Sequence, residues 1–518
     1  MTVNPVALTV FLLLFALVAC LGFVATKWRK ADLHSVHEWG LGGRSFGTLI
    51  TWFLLGGDLY TAYTFIAVPA AMYGAGATGF FAVPYTILMY PLLFLCFPRL
   101  WAVARKHNYV TAADYVRGRF GNRHLALAVA LTGLMATVPY VALQLVGMQV
   151  VIAALGIPSS WALGGFAVPV PLLIAFMVLA AYTYSSGLRG TALTAVVKDV
   201  LIYVTVLTAI IVIPSQLGGY EKVFSTIDTK MLLLVPPSET SAGQGIAYAS
   251  LAVGSLLALF LYPHSLTGIL SSASSSSIRK NAILLPIYSL ALALLALLGY
   301  TAVAANIKGM PEYAAGFTAF GNNFAIPALF LHSFPGWFAG VAFAAIAIGA
   351  LVPASIMAIA SGNLYTRNIY KEFINPNCSE AQEGRAAKLA SLTMKLFALG
   401  FVLLFQTSYA IQLQLLGGVW ICQTLPSVLI ALYTRALHPV ALLAGWATGM
   451  ISGTVMVYQL SLKSTTYPLD LFGYTVPCYA AIIALILNIA VAVIGSVIMN
   501  AIDKSPRLDQ TVPSDYVG

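Results

Sequence analysis

The sequence predicts an all-α membrane protein that crosses the bilayer many times. Of its 518 residues, 60% are hydrophobic and 8% are charged, whereas soluble domains carry about 25% charged residues. The mean hydropathy is +0.89. About thirteen segments reach the roughly 20 apolar residues that a helix needs to cross the hydrocarbon core. This composition excludes a disordered chain, and five cysteines exclude a disulfide scaffold.

The predicted spans are apolar runs bounded by charged or turn-forming residues. The first run lacks a cationic start and is too long for a signal peptide, so we expect it to remain as a helix. In chain order the predicted spans are 5–26, 46–74, 78–101, 124–155, 162–184, 191–214, 245–270, 280–306, 335–364, 388–407, 410–434, 438–458 and 474–500.

Lysine and arginine predict the orientation of the chain in the membrane. Most of the 26 basic residues fall on one side of the predicted spans, including Lys27, Arg29 and Lys30 after the first span and Lys504 and Arg507 in the tail. We expect this side to be cytoplasmic, with the N-terminus outside, in a plasma (inner) membrane. The topology explains the net charge of +10, so the expected partner is the lipid bilayer and no nucleic acid is required.

The polar segments are too short to hold a soluble enzymatic or output domain. No Walker A, H-E-x-x-H or C-x-x-C pattern occurs. Gly74–Gly79 fits a dinucleotide fingerprint but lacks the surrounding βαβ unit, so we expect a turn. Gly445, Gly449 and Gly453 predict close helix packing. We therefore expect a transporter and not an enzyme.

Asp58 and Asp199 are the acidic residues expected inside spans. A carboxylate in a membrane is costly and marks an ion, proton or substrate pathway, unless it is neutralised and only fixes helix packing. Gly56 and Gly57 before Asp58, and Pro69 after it, weaken the helix. We predict a discontinuous second span whose free backbone groups line a cavity, as in secondary transporters. A packing kink is the alternative.

Lys198 and His264 are further titratable candidates inside predicted spans. Lys198 lies beside Asp199 near the cytoplasmic end of the sixth span, where it could extend to the interface or form a cation route with its neighbour. His264 follows the helix-breaking Pro263 and is expected close to the inner side. It could be structural, but histidine titrates near neutrality.

Polar and aromatic side chains also follow Pro139 in the fourth span and surround Gly417–Gly418 in the eleventh. Taken singly, each is explained by a hydrogen bond between helices. Several interrupted helices that carry polar groups at one depth favour a substrate cavity. The candidates to line it are Tyr60, Thr61, Tyr140, Gln144 and Trp420.

Three motifs are similar to signatures of the sodium:solute symporter family. They are Tyr109–Gly121 (YVTAADYVRGRFG), Tyr184–Gly190 (YSSGLRG) followed by Lys198-Asp199, and Tyr365–Lys371 (YTRNIYK). Gly56-Gly57-Asp58 together with the segment from Tyr262 to Gly268 (YPHSLTG) most resembles the monocarboxylate permease branch. That branch imports lactate, pyruvate, acetate-like acids and sometimes alanine.

The resemblance implies a LeuT-type fold with two inverted five-helix repeats. These would cover 46–214 and 245–434, with an extra helix at 5–26, two helices at 438–500 and a cytoplasmic tail at 501–518. The substrate, a small organic anion, would bind between the first helices of the two repeats. We expect its carboxylate on free backbone N–H groups near Gly56 and Gly57.

The coupling ion is predicted from a departure from the family pattern. The paired hydroxyls of the family's second sodium site fall at Val352 and Pro353, whose side chains cannot ligate sodium. A hard cation needs several oxygen ligands, so a weak sodium site would depend on the carbonyls of Leu55 and Leu59 plus Ser355. We expect H+ as the coupling ion, with Na+ as the alternative and no other cofactor. The candidate groups for H+ are Asp58, Lys198, Asp199 and His264.

Three alternative functions are an importer of other solutes, a membrane sensor and a passive channel. A sodium-coupled importer of amino acids or other organic solutes stays possible, because Asp58 could accept the ammonium of a zwitterion. A membrane sensor would need an output domain, which the tail from Ala501 is too short to form. A passive channel would need repeated filter motifs, and none is found. The sequence makes no prediction of the oligomeric state.

Overall fold

The structure, a computed structural model, describes residues 3–28, 35–158, 160–163, 166–404, 410–503 and 508–517. Arg29, Lys30, Lys504 and Arg507, used above to predict the orientation, lie outside the described residues. The described α-helices in the first half are α1 (Pro5–Trp28), α2 (Val36–Leu41), α3 (Thr48–Leu59), α4 (Val68–Ala75), α5 (Ala82–Leu88), α6 (Tyr90–Leu95), α7 (Phe97–Lys106), α8 (Ala112–Phe120), α9 (Arg123–Ala154), α10 (Val170–Gln216), α11 (Tyr220–Ser225) and α12 (Thr229–Leu232).

The second half continues with helices of similar composition. They are α13 (Gly243–Leu259), α14 (Pro263–Leu270), α15 (Ser275–Leu284), α16 (Pro286–Ala304), α17 (Ala314–Phe320), α18 (Ala325–Ser333), α19 (Gly336–Tyr365), α20 (Glu380–Leu404), α21 (Ala410–Ile421), α22 (Leu425–Val428), α23 (Pro439–Gln459) and α24 (Ala480–Ile502). Two short antiparallel hairpins complete the fold. They pair β1 (Trp161–Leu163) with β2 (Phe166–Val168), and β3 (Thr466–Leu471) with β4 (Tyr474–Tyr479).

The predicted all-α polytopic architecture is confirmed. Within the described residues, 11 helical segments are long and apolar enough to cross a membrane, or 12 if the bent pair α13–α14 is counted as one span. The predicted spans 162–184 and 191–214 join in α10, which turns at Gly187, where φ is 57° and ψ is −162°. Glycine adopts this positive φ at little cost.

Three predicted boundaries were wrong. The spans expected at 162–184 and 474–500 begin inside β1 and β4, because β-branched and aromatic residues there pair across a hairpin instead of starting a helix. The segment 307–334, which the predicted spans 280–306 and 335–364 leave as a polar connection between them, contains α17 and α18. The expected turn near Gly74–Gly79 is confirmed, since a 3₁₀ segment begins at Gly76 with a φ of 60°.

The centre of the fold is α19, whose most apolar stretch is completely buried. Helices α1, α9, α10 and α20 pack around it. At the edge of the molecule, α23 packs on α24. A Cβ atom at Gly445 would lie 2.6 Å from the carbonyl oxygen of Asn488 on α24. The glycines of α23 therefore allow the close packing that the sequence predicted.

The segment after α24 docks on the loop between α7 and α8. Asp515 Oδ1 lies 2.5 Å from Lys106 Nζ, and its Oδ2 lies 2.7 Å from His107 Nε2. Asp509 accepts a hydrogen bond of 2.7 Å from Arg119. Burial by itself raises the pKa of Asp515, but hydrogen bonds from Lys106, His107 and the backbone outweigh it and hold the pKa well below its usual range.

We expect Asp515→Asn to release this docked segment. A carboxyl group whose pKa is lower in the folded state stabilises that state at neutral pH, and this contribution is lost as the pH falls through the folded pKa. Trypsin should therefore cleave the tail of Asp515→Asn faster than that of the wild type at pH 7, as measured by mass spectrometry. Asp470→Asn, in the exposed β3–β4 hairpin, is the control. Equal cleavage rates would contradict docking through Asp515.

Candidate functional site

The second membrane span is interrupted after Leu59. Helix α3 ends there, a π-helical turn covers Tyr63–Ala67, and α4 follows. The N–H groups at the start of the outer segment are capped by side chains. Ala62 N donates to Gln144 Oε1 over 3.1 Å, and Tyr63 N donates to Thr61 Oγ1 over 3.0 Å. Gln144 and Thr61, both predicted to line a cavity, thus satisfy backbone groups freed by the break.

The glycine pair lies inside α3 and not at the break. A Cβ atom at Gly56 would be 2.2 Å from the Tyr288 ring, and one at Gly57 would be 2.7 Å from Lys198 Nζ. The glycines therefore allow Tyr288 and Lys198 to approach α3. The expectation that their N–H groups are free to hold a carboxylate was wrong, because these groups belong to a continuous helix.

A second interruption separates α13 from α14, which meet at an angle of 48°. Tyr262 is the N-cap of α14, and its hydroxyl donates to the carbonyl of Gln414 on α21 over 2.8 Å. Pro263 occupies the first turn, where its missing N–H has no cost. This geometry places His264 and Ser265 in the first turn of α14, at the break.

The two interrupted helices meet at Asp58. Ser265 Oγ donates to Asp58 Oδ2 over 2.8 Å, and His264 Nε2 lies 3.6 Å from the same oxygen. Asp58 is 5% exposed and His264 is 1% exposed. The rings of Tyr140 and Tyr262 lie 5.2 and 5.3 Å from the ring of His264. A carboxylate, a hydroxyl, an imidazole and two phenols therefore share one buried space.

Several polar atoms of this group remain unpaired. Asp58 Oδ1 and both ring nitrogens of His264 are buried and accept or donate no hydrogen bond within the part of the chain that the structure describes. A buried polar atom without a partner costs about 1–3 kcal/mol. Such atoms in a membrane interior mark a place where a proton or a substrate can bind.

Lys198 and Asp199 are buried beside the same break, so the interfacial interpretation of Lys198 was wrong. Both side chains are 0% exposed. Lys198 Nζ donates to the carbonyl oxygens of Gly57 and Tyr60, at the end of α3. Asp199 Oδ2 accepts a hydrogen bond of 2.6 Å from Tyr288 Oη. The pair thus caps the carbonyl end of α3, whose negative dipole favours a cation.

Some predicted residues lie elsewhere. Trp420 Nε1 donates to Thr454 on α23 over 3.1 Å, so the indole packs away from Asp58. Ser355 Oγ bonds to the Leu351 carbonyl and to Thr183 on α10. The Leu59 carbonyl accepts a hydrogen bond from the Thr64 hydroxyl, and the side chain of Leu55 packs near Gly268. Among the hydrogen bonds of the described residues, none joins Ser355 to Leu55 or Leu59.

The motifs quoted above contact each other on the side that holds the docked tail. Asn368 Nδ2 donates to Asp114 Oδ1 over 2.8 Å, and Thr111 Oγ1 donates to Asn368 Oδ1 over 2.7 Å. Arg117 Nε donates to Glu372 Oε1 over 2.8 Å. The first and third motifs therefore connect α8 to the π-helical segment Thr366–Ile374 that follows α19, and they do not build the buried site.

Sequence reasoning missed Ser265 and Tyr288 as site residues. Ser265 had a usable signal, because it follows Pro263 and His264 at a predicted helix break. Tyr288 had almost no signal in the sequence, because it stands in an apolar run. It belongs to the site only because Gly56 leaves room for its ring to reach Asp199.

Comparison with known proteins identifies the family of the chain. The profile of the sodium:solute symporter family matches residues 39–449. The chain belongs to the sodium:solute symporter family. A monocarboxylate transport permease protein of Rhizobium johnstonii is 50% identical over 506 residues, covering 97% of this chain and 99% of that protein. An uncharacterized symporter of Bacillus subtilis, YodF, is 34% identical over 456 residues, covering 86% of this chain and 88% of that one.

A solved structure of a Na+-coupled sialic acid symporter in a substrate-bound outward-open state has the same fold. It aligns with a TM-score of 0.74 at 16% identity and covers 96% of this chain and 98% of that chain. The protein is thus a multi-pass membrane symporter of the LeuT-type fold, as the sequence predicted, and it carries a small solute.

We expect Asp58→Asn to depress transport while leaving the fold intact. The amide keeps the size of the side chain and can still accept from Ser265, but it holds neither a charge nor an exchangeable acidic proton. Loss of an interaction with a charged group costs about 1.5–3 kcal/mol, so uptake into proteoliposomes should fall by about tenfold or more. Asp228→Asn, in an exposed loop, is the matched control. Wild-type rates with unchanged pH dependence would show that Asp58 is not functional.

We expect Gly57→Ala to impair transport as well. The added methyl group would meet Lys198 Nζ at 2.7 Å and displace the ammonium from the carbonyls of α3. Loss of a charge-assisted hydrogen bond again predicts a fall in uptake of about tenfold. Gly245→Ala, where the new atom meets nothing within 4 Å, controls for the change in helix propensity. If both variants transport equally well, contact between Gly57 and Lys198 is not required.

Proposed function

We propose that this symporter imports small monocarboxylates, namely lactate, pyruvate and acetate-like acids, together with protons. It would act by alternating access in a plasma (inner) membrane, with its N-terminus outside and its C-terminus in the cytoplasm. The substrate class is supported by the Rhizobium johnstonii relative, which is 50% identical over nearly the whole chain and is named as a monocarboxylate transport permease.

The observation that carries the proposal is the buried group around Asp58. Its unpaired oxygen, Oδ1, and the unpaired nitrogens of His264 are buried where the two helix breaks meet, and His264 Nε2 lies 3.6 Å from the other carboxylate oxygen, Oδ2. A monocarboxylate placed there adds a negative charge to a buried site, which is costly unless that charge is compensated. A proton taken up by Asp58 or His264 supplies the compensation. The positive end of α14 beside His264 favours the substrate carboxylate.

Proton coupling is favoured over sodium coupling by the oxygen atoms available along α19. Val352 and Pro353, where the family places paired hydroxyls, are buried and offer no side-chain oxygen. The hydroxyl of Ser355 is engaged by Leu351 and Thr183. A sodium site at Leu55, Leu59 and Ser355 remains the alternative, with fewer ligands than a hard cation takes.

The cavities of the protein support an outward-facing route. A cavity of about 280 Å³ follows α4 on the proposed outer side, where Ala67, Gly74, Asn322, Gln412 and Lys463 are among its lining residues. On the proposed inner side, the cavity beside Pro263 and Thr267 measures about 20 Å³, and a separate cavity of about 210 Å³ lies at the docked tail, beside Arg119 and Tyr516. A small anion would enter along α4 and reach the break from outside.

Amino-acid import is a second candidate function, because Asp58 has a carboxylate oxygen without a hydrogen-bond partner among the described residues. The free Oδ1 atom could accept the ammonium of a zwitterion such as alanine. A neutral zwitterion would not need a compensating proton, so the two candidates differ in their dependence on pH.

We expect sodium-free proteoliposomes to accumulate labelled lactate or pyruvate when an inward proton gradient is imposed. Without a pH step, a sodium gradient should change uptake by less than about twofold, because α19 offers too few ligands for a hard cation. Alanine and proline are assayed in parallel, and protein-free liposomes correct for diffusion of the protonated acids. Uptake that needs millimolar sodium and ignores the pH step would overturn proton coupling, and uptake of alanine or proline alone would overturn the substrate class.

A further inference from the structure

An ammonium group fills the carbonyl side of the break that ends α3. Lys198 Nζ donates to the carbonyl oxygen of Gly57 and, over 3.3 Å, to that of Tyr60. Asp199 Oδ1 lies 3.3 Å from the same nitrogen, and both side chains are 0% exposed. Three oxygen atoms therefore surround one positive charge in the membrane interior.

These oxygens form a ligand set for a cation. Gly57 and Tyr60 lie at the C-terminal end of an interrupted helix, where unpaired carbonyls carry the negative end of the helix dipole. Asp199 adds a carboxylate, which is held in place by a 2.6 Å hydrogen bond from Tyr288 to its other oxygen. Carbonyl and carboxylate oxygens are the ligands that hard metal cations select.

The backbone of α3 packs closely against the ammonium. A Cβ atom at Gly57 would lie 2.7 Å from Lys198 Nζ and 3.3 Å from Asp199 Oδ1. A side chain at position 57 would therefore stand between the charge and its ligands. The nearest heavy atoms to a Cβ placed at Gly349 on α19 are Ile202 Cδ1, at 3.7 Å, and the Tyr60 carbonyl oxygen, at 3.8 Å.

We propose that the Gly57 and Tyr60 carbonyls and the Asp199 carboxylate form a monovalent-cation site, and that the Lys198 ammonium is its covalently tethered occupant. A tethered cation satisfies the carbonyls of the break as a bound alkali ion would. Wild-type protein consequently needs no free cation at this position. The inference rests on the proposed function only for the choice of lactate as the substrate in the exchange assay below. The site itself is defined by geometry alone.

Removal of the ammonium should convert the site into one for a free ion. In Lys198→Ala, the buried Asp199 carboxylate loses its positively charged partner but keeps the hydrogen bond from Tyr288. The carbonyls of Gly57 and Tyr60 lose their donor. An unpaired buried charge is strongly destabilising, so a diffusible cation should bind where the ammonium was. Purified Lys198→Ala should melt several degrees higher in sodium or potassium chloride than in choline chloride. The wild type should melt equally in all three salts.

Matched variants separate a cation site from general salt effects. Lys198→Met fills the same space without charge and should not respond to alkali ions. Lys395→Ala removes another buried lysine, on α20 and 1% exposed, and should not respond either. The double variant Lys198→Ala/Asp199→Asn keeps the space but loses the carboxylate, so the salt-dependent shift in melting temperature should disappear.

Exchange of labelled for unlabelled lactate in proteoliposomes gives a second readout. Lys198→Ala should exchange about tenfold faster with sodium or potassium than with choline, whereas wild-type exchange should not change. Equal melting and exchange of Lys198→Ala in the three salts would overturn the proposal. So would failure of Lys198→Ala and Lys198→Ser to fold in every salt while Lys198→Met folds.

Failure of the proposed function and failure of the cation site would give different experimental results. If neither lactate nor pyruvate stabilises the wild type or is exchanged by it, the substrate class is wrong. The alkali-dependent melting shift of Lys198→Ala would still be measured without any substrate, and would test the cation site by itself.

Discussion

The need to satisfy a broken backbone inside a membrane determines the arrangement of this site. Lipid offers no hydrogen bonds, so every N–H and C=O freed by an interrupted helix must find a partner within the protein. At the break after Leu59, Gln144 and Thr61 accept from the freed N–H groups, and Lys198 donates to the freed carbonyls. Residues that the sequence singled out as functional therefore also supply the hydrogen bonds that the interrupted backbone needs.

One consequence is that hydrogen-bond acceptors lie on one side of the break and a cationic donor lies on the other. Side-chain oxygens of Thr61 and Gln144 meet the N–H side, while a cation and its acidic neighbour meet the carbonyl side. Asp58, in the last turn of α3, accepts a hydrogen bond from Ser265 in the first turn of α14. A substrate at this level would contact groups from both interrupted helices, so its binding and the positions of the two helices are linked.

The sequence was sufficient for the fold class and for most of the residues at the breaks. Hydropathy found the spans because lipid demands long apolar helices, and the cost of a buried carboxylate singled out Asp58 and Asp199. The contacts of Lys198 with the end of α3 and of His264 with Asp58 could not be predicted, because they depend on where each helix breaks. The break itself was placed at Gly56–Gly57, since glycine weakens helices. In the structure those glycines serve close packing against Tyr288 and Lys198, which depends on tertiary contacts that no local pattern reveals.

The docked tail has a consequence for how the chain is made. Residues 508–517 are synthesised after all the membrane helices described here, yet Asp515 and Asp509 pair with Lys106, His107 and Arg119 from an early loop. Those basic groups stay without these acidic partners during insertion, when unneutralised lysine and arginine direct the orientation of the flanking helices. Their later pairing gives each of these basic groups an acidic partner in the folded protein. In the orientation that we propose, with the N-terminus outside, the order of synthesis lets one set of cations serve first as an insertion signal and then as a structural anchor.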